Sequence, residues 1–238
     1  MSKYHGITEE TKVGKNGKTV HRLIALETFE NASITIEKGR LGGWVQNVES
    51  IHDNAWVYDN AELLDNAKMF DHSSMRDNSS MLDYSKLYNS AKMTGHSALY
   101  NEANMGQNTS LHDDSSLGGM ASISDYVSLW EDAQVVGNTF LKGDAVLSKG
   151  ALVSKDWHVL TLSTYTSLDL GVTLYPTRDG EYRVKMGCWE GTVDELEELF
   201  KRDEWVETTG QDAGDSREEM LTMITLMRAR IKRIEARK

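Results

Sequence analysis

The chain has 238 residues, a formal net charge of -11, one proline and one cysteine, with 39% of its residues hydrophobic. A mean hydropathy of -0.50 and the lack of any apolar run of bilayer length leave no helical membrane span. Cys188 alone excludes an internal disulfide framework, and with eleven methionines it suits a reducing, cytoplasmic setting.

In chain order, residues 1–44 read as a β lead-in. Ile7 to Val13 and Thr19 to Leu26 flank Gly14-Lys15-Asn16-Gly17, a hairpin turn signal. The N-terminal stretch is polar rather than signal-peptide-like. Gly39-Arg40-Leu41-Gly42-Gly43-Trp44 then feeds the next unit, with Trp44 expected to cap its open end.

From Val45 to Val153 an aliphatic residue stands at every sixth position without a break: Val45, Ile51, Val57, Leu63, Met69, Met75, Met81 and onward to Leu141, Leu147 and Val153. Four residues after each, from Ala55 to Ala151, stands only Ala, Ser, Thr or Val. The small residue and the next aliphatic lie two apart, so both point to one face of a short strand, while the residues between and after them point outward. In Ala55-Trp56-Val57-Tyr58, Ala55 and Val57 go in and Trp56 and Tyr58 go out. The next two positions are corners, and fourteen of the seventeen first-corner positions from 53 to 149 are Asp, Asn or Gly. Those types tolerate left-handed backbone and satisfy turn amides.

Strands this short cannot bury their inner faces alone, so successive turns must stack into a solenoid. Three six-residue faces close an 18-residue coil, and the repeat of 108 residues gives six coils. At roughly 4.8 Å per stacked strand the prism is about 29 Å long. An aliphatic residue followed four residues later by a small one resembles the hexapeptide-repeat left-handed parallel β-helix. The Leu41-Gly42-Gly43-Trp44-Val45 opening, followed by repeats such as Val57-Tyr58-Asp59-Asn60-Ala61, is similar to members encoded by phages and prophages. The resemblance implies the fold and, because that family includes acyltransferases as well as proteins without known activity, leaves the function open.

The prism carries 15 acidic and 6 basic residues, a net of -9, which disfavours direct nucleic-acid binding by its surface. Its corners supply Asp53, Asp59, Asp65, Asp71, Asp77, Asp83, Asp113 and Asp114, readable as turn chemistry or as an acidic surface for a basic partner. One outward column, Leu64, Leu82, Tyr100, Gly118 and Val136, is apolar and marks a contact surface, expected to join copies of the chain. His52, His72, His96 and His112 raise catalysis and metal binding, but they sit at corners or on outward faces, and only Asp114 near His96 offers a partner. Hexapeptide acyltransferases resemble one another in a catalytic histidine on a loop that interrupts the prism; here the register is never interrupted. No catalytic residue, metal or cofactor is therefore expected.

Residues 154–238 read as an α/β cap. Trp157 to Ser163, Gly171 to Pro176 and Tyr182 to Gly187 form a meander, and Thr192-Val193-Asp194-Glu195 is a capping box opening a helix to about residue 202. Ser216-Arg217-Glu218-Glu219 is a second box, before a helix whose Met220, Ile224, Met227 and Ile231 form a seam for its own sheet or for a copy of itself. Its basic tail, Arg228 to Lys238, suits a helix C-terminus or an acidic neighbour. The expectation is a mainly β, non-enzymatic binding protein of phage origin, self-associating, that occupies a host defence complex such as a CRISPR-type or other nuclease. An acyltransferase-like trimer and a virion component are the alternatives.

Overall fold

The computed structural model describes residues 3–163, 171–201 and 213–237. The six-residue period becomes a β-solenoid of about six turns: two-residue strands such as Ser80–Met81 pair in parallel with Ala98–Leu99, eighteen residues on, and the stacks form three faces. One is a nine-stranded sheet, one has five strands and one has six. The aliphatic positions from Val45 to Val153 are all buried. Serine and threonine enter this core because many of their hydroxyls reach back to the carbonyl three residues earlier, just before the corner: Ser73 Oγ donates to Phe70 at 2.7 Å, Ser79 to Arg76 at 2.7 Å and Thr109 to Gly106 at 2.8 Å.

The lead-in lengthens the nine-stranded face. β1 (His5–Val13) and β2 (Thr19–Ala25) form the expected hairpin, β2 pairs antiparallel with β5 (Leu41–Val45), and β5 runs parallel to Glu62–Leu63. Between them β3 (Phe29–Asn31) and β4 (Ile34–Ile36) make a second hairpin. Leu23, Ala25, Phe29 and Ile36 join the prism core and close its N-terminal end. Trp44 does not cap that end: it is paired with Glu62, lies against Val20 and Leu64, and is covered by the Lys12 and Arg22 cations.

Trp56 and Tyr58 leave the prism as expected, yet both are buried, because the lead-in covers them. Phe29 packs edge-on to Trp56 at 5.6 Å, His5 stacks on it at 5.9 Å, and Tyr58 donates to Asn31 Oδ1 at 3.0 Å. Asn31 in turn donates to the carbonyls of Asn54 and His72. Burial holds the His5 imidazole down at about 4, against the opposing bond of its Nε2 with the Ala55 carbonyl.

At the other end the left-handed turn falls on Gly150 rather than Lys149, and Ala151 bridges to Thr177. The C-terminal unit is a four-stranded antiparallel meander, Leu160–Ser163, Gly171–Pro176, Tyr182–Met186 and Trp189–Thr192, followed by α1 (Val193–Lys201) and α2 (Ala213–Glu235). The first capping box forms: Glu195 accepts from the Thr192 amide at 2.7 Å, and the Glu195 amide donates to Thr192 Oγ1 at 3.2 Å. Residue 202, the expected helix end, lies outside the described residues. α2 begins at Ala213, ahead of the Ser216 box.

The seam on α2 belongs to the chain's own core. Met220, Ile224 and Met227 are buried with Val172, Leu174, Val184, Leu196 and Phe200, and Ile231 packs against them, so these four are not an exposed interface. The basic tail is also engaged within the chain: Arg228 Nη2 lies 2.6 Å from both Asp194 and Glu197, and Arg237 sits 5.0 Å over the Trp157 ring. Arg178, from the turn after Gly171–Pro176, pairs with Asp132 of the prism and joins the two units.

Candidate partner-binding surface

Every first corner from Asp53 to Gly143 has positive φ, which the residue types at these positions tolerate. At Gly95 (φ +68) a Cβ would lie 2.7 Å from the Asp113 Cα, so only glycine fits. The backbone alone closes one bond at most corners; the Asn54 amide, for example, donates to the Asp71 carbonyl at 2.9 Å. The corner side chain closes the other. Asp71 Oδ2 accepts the Asn89 amide at 2.8 Å, Asp77 the Gly95 amide at 2.9 Å, Asp83 the Asn101 amide at 2.9 Å and Asp113 the Glu131 amide at 3.1 Å. Asn89 and Asn101 do the same with an uncharged oxygen at 3.3 Å. The corner acids are thus turn formers and inter-coil links, whose remaining oxygens are held at a fixed spacing on the prism edges.

Six consecutive corners, Asp53 to Asp83, are acidic; Asn89, Gly95, Asn101 and Gln107 then follow, so charge concentrates in the first two coils. Asp53, Asp59, Asp77, Asp113 and Asp114 are exposed, whereas Asp65, Asp71 and Asp83 are half-buried. Asp65 is already occupied: Lys18 Nζ donates to it at 2.8 Å and Asn16 at 2.9 Å. The Lys18 bond holds its carboxyl below the usual range against the cost of partial burial. Lys12 takes Glu62 at 2.8 Å, while Lys15 and Arg22 reach the neighbouring edge through its backbone, at the Asn78 carbonyl (2.7 Å) and the Asp59 carbonyl (3.1 Å), rather than through its carboxylates. The open acids are Asp53 and Asp71 on one edge and Asp59, Asp77 and Asp113 on another.

The apolar column is divided. Leu64 is buried under Val20 and Trp44 and is withdrawn from any interface. Leu82, Tyr100 and Val136 remain half-buried. The Tyr100 ring lies flat over Gly118, where a Cβ would meet it at 2.2 Å, and their face carries no outward charge from Ser80 to Val136.

The histidines do not converge. His52 stacks on Phe70 at 4.6 Å, and His72 is exposed. His112 stacks on Trp130 at 3.7 Å and bonds Thr94 Oγ1 at 2.9 Å, with partial burial lowering its pKa. His96 and Asp114, both exposed, lie 3.8 Å apart. Among the described residues no group of three or more His, Cys, Asp or Glu is placed to hold a metal ion. A groove lined by Asn66, Lys68, Tyr84, Lys86, Glu102 and Asn104 carries no motif in the sequence, although the 18-residue columns place these side chains together. No family model and no curated protein matches the chain.

Proposed function

We propose that the protein is a non-enzymatic binding protein whose acidic prism docks on the cationic surface of a nucleic-acid-handling complex, a host nuclease of the CRISPR type or another defence nuclease. The observation that carries this reading is the row of exposed corner carboxylates, Asp59, Asp77 and Asp113, fixed in place by backbone amides of the following coil. A charged array that is already ordered loses little conformational freedom on binding and can occupy lysine and arginine channels. The resemblance to phage-encoded hexapeptide-repeat proteins supports a setting inside an infected host cell. Nine net charges over about 29 Å is one per about 3 Å, against one per roughly 1.7 Å in duplex DNA. Apolar contacts therefore supply much of the affinity.

The triple variant Asp59→Asn, Asp77→Asn, Asp113→Asn tests this. Asn89 and Asn101 already perform the corner task without charge, so the variant keeps its circular dichroism spectrum and melting temperature. It should lose protection of phage in cells carrying the targeted nuclease; undiminished protection, or a parent that never protects, overturns the reading. Self-association belongs to the same proposal, through Leu82, Tyr100 and Val136 on the uncharged face. Light scattering should show an oligomer that Leu82→Asp with Tyr100→Asp reduces to monomers, because unpaired carboxylates oppose burial.

A further inference from the structure

On the five-stranded face, Lys68 and Lys86 stand directly opposite one another on adjacent parallel strands, and Asn104 continues the row. Both lysines are exposed, and among the described residues neither has a carboxylate within ion-pair distance. Like charges in register are unfavourable. In a prism with 15 acidic and 6 basic residues, the arrangement departs from the prevailing charge. Beside this row the second corners Asn66, Tyr84 and Glu102 form a parallel rim, and the two enclose a shallow open groove of about 540 Å³. Tyr84 is 63% exposed and leaves ring surface available for stacking.

We propose that this groove binds a small phosphate monoester carrying a planar ring, a ligand of the mononucleotide class. The phosphate bridges the ammonium groups of Lys68 and Lys86, relieving their repulsion and taking charge-assisted hydrogen bonds from both. The ring lies on Tyr84, a contact any flat heteroaromatic base makes. Asn66 and Asn104 supply amide groups at the two ends, and Glu102 accepts hydrogen bonds from the ring or sugar. The net charge of -9 on the prism keeps a polynucleotide at a distance, which confines the ligand to a small molecule.

Calorimetry on the full chain, with AMP, adenosine and inorganic phosphate as probes, tests the assignment. AMP should bind saturably, inorganic phosphate more weakly, and adenosine not measurably. Lys68→Gln with Lys86→Gln should weaken AMP by about tenfold or more, the scale of one or more lost hydrogen bonds to a charged group. Tyr84→Ser should weaken AMP about fivefold and leave inorganic phosphate unchanged. These side chains lie outside the core, and unchanged circular dichroism confirms folded variants. Absence of saturable AMP binding, or AMP binding insensitive to the lysine pair, overturns the site; AMP binding indifferent to Tyr84→Ser overturns the mononucleotide assignment.

Discussion

The prism and the C-terminal unit bury apolar side chains by opposite rules. In the prism every interior residue meets its equivalents eighteen residues away, as Leu99 sits between Met81 and Leu117, and each coil depends on its neighbours alone. In the C-terminal unit Met227 belongs to a core assembled from strand Gly171–Pro176, α1 and α2, elements remote in sequence. A periodic core is specified locally, whereas an aperiodic one is specified by which surfaces happen to meet.

The largest expected effect breaks each core in turn. Leu99→Ala and Met227→Ala should each cost about 2–5 kcal/mol, the range for emptying a buried aliphatic site. Leu99→Ala should lower protection of amides in the neighbouring coils on both sides, and Met227→Ala only that of the C-terminal unit. Hydrogen exchange read by mass spectrometry distinguishes the two patterns, and uniform loss in both variants would show a single cooperative unit.

A second effect sharpens the comparison at the lead-in, where an irregular element covers the regular one. The His5 pKa falls from 6.5 to about 4 on folding, so the unfolded chain binds the extra proton between those values. Its contribution is present in full above 6.5 and is lost as pH falls towards 4, a change on the order of 3 kcal/mol. Urea denaturation across that interval should show the slope, and His5→Gln should reduce it.

The smallest effect concerns one corner. Asp77→Ala removes the acceptor for the Gly95 amide and leaves alanine at φ 57, costing about 1–2 kcal/mol. Asp77→Asn should cost much less, because the oxygen is retained. Thermal denaturation of the pair checks the difference; equal losses would show that charge, not hydrogen bonding, matters at the corner.

The prism was legible because its determinants lie within six residues: an aliphatic, a small residue and a left-handed corner. Its outward surface was less so, since the fates of Trp56, Tyr58 and Leu64 depend on a lead-in packing from outside the repeat. The β3–β4 hairpin escaped notice because its strands have three residues each and alternate too briefly to show a period. The Met220 to Ile231 seam was visible as an apolar stripe, but a stripe does not name its partner. Of the candidate site, the corner acids were readable as positions, while the engagement of Asp65 by Lys18 needed the lead-in's course.

The corner bonds also have a direction. Each side-chain acceptor belongs to the earlier coil and each amide that satisfies it to the later one, as Asp71 receives Asn89 and Asp83 receives Asn101. A wound coil therefore presents a row of side-chain acceptors to the chain that follows, and each new coil completes the corners of the one before it. Such a ladder suits growth from the N-terminal end as the polypeptide leaves the ribosome, with the β1–β2 hairpin as the seed and the Gly150 amide on Asp132, at 2.7 Å, as the last rung before the C-terminal unit ends the winding.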